Sequence, residues 1–424
     1  QNTNGEFQLI KGPWERDAAS EDVDALFFDA DSDGDQDLYI LSGSNEFPVG
    51  DNRYQDRLYI NEGNLQFSKP SKALPDLPIS GSTVTAADYD QDGDLDLFVG
   101  SFCKPGSYPM APQSLLLRNE GGSFKEVANE VFKGNPLEGM VRDAEWSDWD
   151  QDGDPDLIVV GEWMNISFFQ NDGGQLTNIS SGTSLPDLTG IYFTITTADI
   201  DQDGDDDYLI GGLGQNHRYQ ASQKAPFQIY AADFDKNGRI DPIMASTVEG
   251  RPLPVYGRTV LGEQMPFIKK KFPNFNSYAQ ASIQEIFEAN SIESGISFKA
   301  TNFASLMIEN VGGGKFKHHI LPAEAQISAV RAIVVNDFNG DGHQDLLMGG
   351  NYYDIEFRSP RLDASIGILL QGDGKGNFQA ISPSESGWQI PGRVRSILPI
   401  SGPSRQSILV IKNNQQAQHF TTNS

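Results

Sequence analysis

The stretch DYDQDGDLDLFVG, from Asp88 to Gly100, places five aspartates within nine residues and then becomes apolar. The same pattern, D-x-[DN]-x-[DN]-G-x-x-D, occurs six times, beginning at Asp29, Asp88, Asp148, Asp199, Asp233 and Asp337. Successive copies are 59, 60, 51, 34 and 104 residues apart. A spacing near sixty residues is typical of a repeat architecture, from which the last two intervals depart.

Strand patterns surround each copy of this motif. A β-branched run such as STVTAAD precedes it, a short run such as LFVG follows it, and most units add a second hairpin, as in Leu58–Ser68. About four antiparallel strands per unit indicate a β-propeller. We therefore predict an all-β, seven-bladed β-propeller as a single domain over residues 1–424. Val394–Asn414 would form a seventh, degenerate blade, to which Glu6–Ile10 would add an outer strand.

The long interval after the fifth copy predicts an insertion at residues 251–300. Within it, Ser277–Asn290 has a helical pattern, with Ser277 and Gln280 placed as a capping box. We expect one short helix lying over the propeller.

The crowded aspartates point to a bound cation. Close carboxylates repel one another, and calcium takes 6 to 8 oxygen ligands of the kind that alternate residues of a tight loop supply. Positions in each motif are counted from its first aspartate, so Asp88 is position one of the second motif. An EF-hand would need Glu at position twelve, where the second motif has Val99, so that class is rejected. The aspartate at position nine is expected to close the site, and the variable position seven to contribute its backbone carbonyl.

We predict about six calcium ions, bound more weakly by loops five and six, which have fewer carboxylates. The predicted metal residues are Asp29, Asp31, Asp33, Asp35 and Asp37; Asp88, Asp90, Asp92, Asp94 and Asp96; Asp148, Asp150, Asp152, Asp154 and Asp156; Asp199, Asp201, Asp203, Asp205 and Asp207; Asp233, Asp235, Asn237, Arg239 and Asp241; Asp337, Asn339, Asp341, His343 and Asp345. A single acidic turn often only solvates a surface, but six copies in one strand register favour metal binding.

Composition limits the possible partners. The chain has 59 acidic and 31 basic residues and a formal charge of -28, which disfavours nucleic acid and anionic membranes. A single cysteine, Cys103, excludes an internal disulfide framework. No apolar stretch is long enough to span a bilayer, so we expect no membrane insertion of this segment. The sequence begins at Gln1 without a signal-like segment, which suggests a processed chain or a fragment.

With its six loops and their following strands, the chain resembles the FG-GAP or VCBS repeat family of integrin-α-like, seven-bladed propellers over nearly its whole length. The segment Val255–Phe287 is similar to the insertion of bacterial cell-surface proteins grouped with cartilage-acidic-protein homologues, whose ASPIC/UnbV segment this sequence lacks. The resemblance implies an extracellular, cell-surface or periplasmic protein. It also implies structural calcium on one rim and ligand binding on the opposite face.

The loops expected on that opposite face are rich in aromatic residues and arginine, which are common in binding surfaces. The candidates are Tyr54, Tyr108, Trp163, His217, Arg218, Tyr219, Tyr352, Tyr353 and Arg358. Each of them could instead pack its loop onto a blade. As a set, they favour a monomeric adhesion or binding module for a protein or glycan ligand.

Two other functions stay open. The first is a carbohydrate-active enzyme, a polysaccharide lyase or hydrolase, for which the carboxylates Asp143, Glu145 and Glu162 are candidates outside the loops. No nucleophile elbow, zinc-protease or phosphate-loop motif supports catalysis, so no catalytic residue is assigned. The second is a structural spacer within a larger surface protein.

Overall fold

Antiparallel sheets follow one another along the chain, which this computed structural model describes over residues 2–3, 6–7, 9–135, 137–353, 360–401 and 406–421. A hairpin precedes them, formed by β1 (Asn2–Thr3) and β2 (Glu6–Phe7). The first sheet contains β3 (Asp22–Phe28), β4 (Asp37–Ser42), β5 (Arg57–Asn61) and β6 (Phe67–Ser68). The second contains β7 (Gly81–Ala87), β8 (Asp96–Ser101), β9 (Leu115–Asn119) and β10 (Phe124–Glu126), followed by the helix α1 (Ala128–Val131). The third contains β11 (Met140–Ser147), β12 (Asp156–Met164), β13 (Ser167–Asn171) and β14 (Leu176–Asn178). The end of β12 also pairs with the first strand of the fourth sheet, Glu162 with Ile191, so the third and fourth sheets are continuous at this edge.

The fourth sheet is interrupted by an insertion. It begins with β15 (Gly190–Ala198) and β16 (Asp207–Gly212). The chain then builds an inserted sheet from β17 (Phe227–Ala232), β18 (Asp241–Val248), β19 (Arg251–Pro254) and β20 (Ile296–Ala300). Between β19 and β20 lie α2 (Arg258–Gln264), α3 (Phe267–Lys271), α4 (Phe275–Ala279), α5 (Ile283–Ile286) and α6 (Ala289–Glu293). The fourth sheet resumes with β21 (Leu306–Asn310), which pairs with β16, and β22 (Phe316–Ile320).

Two sheets complete the described chain. The fifth contains β23 (Val330–Asn336), β24 (Asp345–Gly350), β25 (Ile368–Gly372) and β26 (Phe378–Ile381), followed by α7 (Pro383–Ser386). The sixth has three described strands, β27 (Val394–Ser401), β28 (Gln406–Lys412) and β29 (Gln418–Thr421).

The first strands of the six sheets lie side by side: β3 contacts β7, β7 contacts β11, β11 contacts β15, β15 contacts β23, and β23 contacts β27. Apolar side chains fill the space between neighbouring sheets. On β12, Leu157 and Val159 pack toward the second sheet, whereas Ile158 and Val160 pack toward the fourth, as the period of two along a strand requires. This arrangement confirms the all-β prediction and is a β-propeller-type fold.

The predicted ring of seven blades is not confirmed. Among the described residues, six sheets follow one another through their first strands, and the fifth Asp loop instead joins β17 to β18 in the inserted sheet. The insertion explains the irregular intervals of 34 and 104 residues. The motif specifies a hairpin locally, but it does not specify which sheet that hairpin joins.

Two local predictions also differ from the structure. Instead of one helix over Ser277–Asn290, three short helices occupy that region, and the capping box is formed by Ser282 and Glu285 rather than by Ser277 and Gln280. The backbone N–H of Ser282 donates to Glu285 Oε2 at 2.7 Å. In the described part of the N-terminus, β2 pairs with β1 and not with the last sheet. None of the described helices is long and apolar enough to cross a membrane.

Candidate functional site

Each Asp loop is held in a tight bend by its own carboxylates. In loop two, Asp88 Oδ2 accepts the backbone N–H of Gly93 at 3.0 Å, and Asp92 Oδ1 accepts that of Asp94 at 3.0 Å. Gly93 has φ +100°, a conformation that favours glycine. The same bond, from the backbone N–H of the position-six glycine to Oδ2 of the position-one aspartate, recurs in loops one, three, five and six, at Gly34, Gly153, Gly238 and Gly342. The bend therefore directs the other carboxylate oxygens inward.

Five loops bring three carboxylates together, with the closest oxygens of each group all within 4.8 Å of one another. The groups are Asp29, Asp31 and Asp33; Asp88, Asp90 and Asp96; Asp148, Asp150 and Asp156; Asp199, Asp201 and Asp203; and Asp233, Asp235 and Asp241. Loop six has Asn339 at position three, where the other loops have aspartate. None of these groups contains a position-seven residue.

The position-nine aspartates are buried beneath the loops. In loop two, Asp96 Oδ1 accepts the backbone N–H of Asn119 at 2.7 Å. Burial, reinforced by the neighbouring Asp90 and Asp92, raises the pKa of Asp96 to about 7. The same cause raises the pKa of Asp207 to about 7 and that of Asp156 to about 8. Burial without a counter-charge thus disfavours the ionised carboxylates, and a cation at this point would favour them.

The loops also contain buried oxygens that lack a hydrogen-bond partner. Among the described residues, they are Asp31 Oδ1, Asp90 Oδ1, Asp96 Oδ2, Asp150 Oδ1, Asp156 Oδ2, Asp199 Oδ1, Asp201 Oδ1 and Asp205 Oδ1. Buried polar atoms without a partner are rare in folded proteins, and hard divalent cations are ligated by clusters of such oxygens. The residues present therefore fit a calcium-like ion in loops one to four.

Neighbouring loops are joined into a chain by the residue at position four. Gln91 Nε2 of loop two donates to Gly153 O of loop three at 2.8 Å, and Gln202 Nε2 of loop four donates to Gly342 O of loop six at 2.7 Å. Gln151 makes the corresponding bond from loop three to loop four at 3.3 Å. Loop five is bypassed, in agreement with its place in the inserted sheet.

Position-seven carboxylates take part in these links. Asp94 Oδ1 accepts from Ser32 of loop one at 3.0 Å, and its Oδ2 accepts the N–H of Gly121 at 3.0 Å. Asp154 makes the equivalent pair of contacts with Gln91 and Gly173. These side chains therefore join loops, while metal ligation by the position-seven backbone carbonyl stays a prediction.

Sequence reasoning missed an asparagine at the end of the third strand in the first four sheets. Asn171 donates its backbone N–H to Asp156 at 2.7 Å and its side-chain Nδ2 to Tyr89 O of the preceding loop at 2.8 Å. Asn119 and Asn310 make the same contacts between sheets. The recurring N-x-G of the second hairpins, at Asn61, Asn119, Asn171 and Asn310, was the available signal.

A central pocket of about 540 Å³ is lined by first strands, by connecting loops and by the inserted sheet. Four of the nine ligand-face candidates line it, namely Tyr108, Trp163, Tyr219 and Tyr352. The other lining residues are Asn45, Phe102, Cys103, Arg142, Glu162, Ile191, Leu213, Phe227, Ile229, Pro242, Met244, Tyr256, Arg331 and Arg395.

The other ligand-face candidates lie elsewhere. Tyr54 is buried, and its hydroxyl bonds the backbone of Phe47, which makes it a packing residue. His217 Nε2 lies 2.9 Å from Gly214 O, and Arg218 is exposed. Tyr353 lies near the guanidinium groups of Arg361 and Arg393. Arg358 is outside the described residues.

Three arginines of the pocket were missed because they lie on strands and not on loops. Arg142, Arg331 and Arg395 occupy the same register, at the β-bulge of β11, β23 and β27. A V-R dipeptide marks each position, and Arg142 and Arg331 stand six residues before the first Asp of their loops. Bulges reorient side chains, and here the same reorientation on three first strands brings three guanidinium groups into one cavity.

A hydrogen-bond network fixes one wall of the pocket. Arg142 donates two bonds to Glu162 Oε1, at 2.9 and 2.5 Å, and Tyr108 donates to Glu162 Oε2 at 3.1 Å. Trp163 Nε1 donates to the Tyr108 hydroxyl at 2.6 Å. Burial raises the pKa of the neighbouring Cys103 thiol to about 11, so this cysteine is not a reactive thiolate.

The other two non-loop carboxylates lie further along β11. Asp143 Oδ2 accepts the N–H of Ile195 at 3.0 Å and Oδ1 accepts from Thr83 at 3.2 Å, so Asp143 joins β11 to β15 and β7. Burial raises the pKa of Asp143 to about 6, and burial with the nearby Asp143 charge raises that of Glu145 to about 8. Asp143 thus has a structural role between sheets.

The FG-GAP-like repeat family matches this chain in sequence at residues 29–99 and 148–210. The chain therefore carries FG-GAP-like repeats, and the resemblance to FG-GAP repeats inferred from the loops is confirmed in these two regions. No curated protein matches the chain in sequence.

Several solved structures are similar in outline. Sqt1 of Saccharomyces cerevisiae is 8% identical, with a TM-score of 0.38 over 92% of this chain and 85% of that one. The V. cholerae biofilm matrix protein Bap1 is 10% identical, with a TM-score of 0.30 over 93% and 85%. The exotype rhamnogalacturonan lyase YesX is 11% identical, with a TM-score of 0.30 over 95% and 72%. Similarity at this level assigns no function to the chain.

Proposed function

We propose that this chain is a calcium-stabilised, extracellular binding protein, whose Asp loops hold structural calcium and whose opposite face binds a protein or glycan ligand. The observation that carries the calcium role is the set of partnerless buried carboxylate oxygens in loops one to four. Calcium supplies the positive charge and oxygen coordination that these atoms lack.

The proposed role of calcium follows from where the loops lie. Each loop joins the first two strands of a sheet, and the position-four residues connect loops one, two, three, four and six. An ion in each of these five loops would therefore stabilise both its own hairpin and the contact of that hairpin with a neighbouring sheet. Extracellular modules bind calcium at about 10⁻⁴ to 10⁻³ M, which suits an exterior rich in calcium.

The ligand role rests on the central pocket, which combines aromatic walls with convergent charged side chains, as small-molecule sites do. The test is a glycan and protein binding screen on the calcium-loaded protein, with a reducing-sugar assay run alongside. Binding without new chain ends supports the proposal. Release of new ends would instead identify a carbohydrate-active enzyme, and the absence of any ligand would favour a structural spacer.

We also propose that the six successive sheets close into a six-bladed ring. The support is the succession of first strands, in which each strand lies beside the next from β3 to β27. The charge of Arg395 on β27 also favours the ionised form of Asp24 on β3, although burial raises the pKa of Asp24 overall. A crystal structure with calcium tests this directly. A seventh sheet between the sixth and the first would contradict it.

A further inference from the structure

The central pocket has the opposite charge to the rest of the molecule. Its lining residues include three guanidinium groups and one carboxylate, in a chain whose formal charge is -28. Glu162 is engaged by Arg142 and Tyr108. Like charges in a partly buried cavity repel one another, and an anion between them removes that repulsion.

Arg331 lies at the centre of this arrangement. Its guanidinium carbon is 4.8 Å from the ring centroid of Phe193 and 5.7 Å from that of Tyr352. Among the described residues, no ion pair contains Arg331, and Glu162, the one carboxylate lining the pocket, is paired with Arg142. Burial, and then the charges of Arg395 and Arg142, lower the pKa of Arg331 below its ordinary value. A guanidinium whose face lies against aromatic rings keeps the N–H groups of its edge available to bind a carboxylate.

The pocket wall beside the arginines is apolar and rigid. Trp163 stacks on Phe227 of the inserted sheet, with ring centroids 5.8 Å apart and an interplanar angle of 18°. The backbone of Trp163 has φ +59°, which is unusual for a bulky residue and is maintained where the surrounding structure requires it. The hydrogen bond from Trp163 to Tyr108 fixes both rings. A ligand with one six-membered ring would fit this wall and the cavity of about 540 Å³.

We infer that the central pocket binds a carboxylate carried on a six-membered ring, with the carboxylate at Arg331 and its neighbours Arg142 and Arg395, and with the ring against Tyr108, Trp163 and Tyr352. This inference rests on the proposed ligand role of the pocket and specifies its ligand class. A terminal uronic acid and a free aromatic acid share this chemistry. The inserted sheet supplies one wall, so the insertion has a direct part in binding.

Calorimetric titration of the calcium-loaded protein tests the inference with galacturonate, glucuronate and benzoate as probes, and with galactose and inorganic phosphate as comparisons. We expect the ring carboxylates to bind and galactose not to bind. Arg331→Gln should weaken binding at least about tenfold, because a charge-assisted hydrogen bond is lost. Arg395→Gln, at a more exposed side chain, should act in the same direction. Arg251→Gln, in the exposed pair with Glu285, is the matched control and should leave binding unchanged.

The outcomes distinguish an acidic saccharide from an aromatic acid. They also distinguish failure of the carboxylate inference from failure of the proposed ligand-binding function. Uronates alone would identify an acidic saccharide, and benzoate alone an aromatic acid. Galactose binding as tightly as galacturonate, or unchanged affinity in both pocket variants that still melt like the parent, would overturn the carboxylate inference. A glycan or protein ligand found elsewhere would leave the proposed function standing. Phosphate binding as well as the ring acids would overturn the assignment of a ring.

Discussion

Removing calcium should lower the free energy of unfolding by an amount that can be calculated from the number of Asp loops. Five loops cluster three carboxylates, and the sixth has a related ligand set. At ~2 mM free calcium and dissociation constants of about 10⁻³ to 10⁻⁴ M, each site stabilises the folded state by about 0.6 to 1.8 kcal/mol. Six such sites contribute about 4 to 11 kcal/mol.

The corresponding change in melting temperature follows from the size of the chain. With about 2.1 cal/mol/K of unfolding entropy per residue over 424 residues, excess EGTA should lower Tm by about 4 to 12 °C. Differential scanning calorimetry at matched ionic strength measures this change, and restoring calcium should reverse it. Magnesium is the control, because it dehydrates reluctantly and should restore less. Equal Tm values in calcium and in EGTA would refute the reasoning.

Three further predictions concern the carboxylates and the sheet contacts. First, in EGTA the Tm should fall as the pH rises from about 5 to 8. In the folded protein the pKa of Asp96 is raised from its ordinary value of 3.8 to about 7, and that of Asp156 to about 8. Because the folded state then holds these protons more tightly than the unfolded state, the stability present at low pH is lost as the pH rises through the folded pKa values. Saturating calcium should remove most of that slope, and melts in EGTA that rise with pH would contradict the sign. Second, Asp96→Asn should reduce the calcium-dependent stabilisation by about 0.6 to 1.8 kcal/mol, the contribution of one site, whereas the exposed control Asp76→Asn should not. Equal effects of the two substitutions would show that loop two is not a site. Third, Asn171→Ala should lower the free energy of unfolding, measured in urea with calcium present, by about 2 to 3 kcal/mol, because Tyr89 O and Pro155 O lose their buried donor. The control is Asn135→Ala, at an exposed side chain. A loss as small as that of the control would show that these bonds do not join the sheets.

The parts of the fold that the sequence predicts are those governed by neighbouring residues. Gly93 with the aspartates around it specifies a bend between two strands, and the same local chemistry recurs in all six motifs. The number of successive sheets was not predictable in this way. Loop five has the same local pattern as the others, yet Asp241 accepts from Gln264 of α2 rather than from a third-strand asparagine, because its hairpin belongs to the inserted sheet.

The central pocket was also predictable only in part, because it joins residues that are distant in sequence. Aromatic loop residues such as Tyr108 and Trp163 were identifiable by their type and by their position after the motif strands. Arg142, Arg331 and Arg395 are separated by long stretches of sequence and meet only because three first strands lie around one cavity with the same bulge. Alignment of the repeats on their first aspartates places Arg142 and Arg331 in one column, and this comparison would have revealed them.

Direct counting of bound calcium tests the central claim most simply. Equilibrium dialysis of the decalcified protein against calcium-45 should show about four to six ions per chain at ~2 mM free calcium and approach about six at saturation, with the weakest binding in loops five and six. Asp96→Asn should remove one ion from that count. A protein that binds no calcium at this concentration, while remaining folded, would contradict the account.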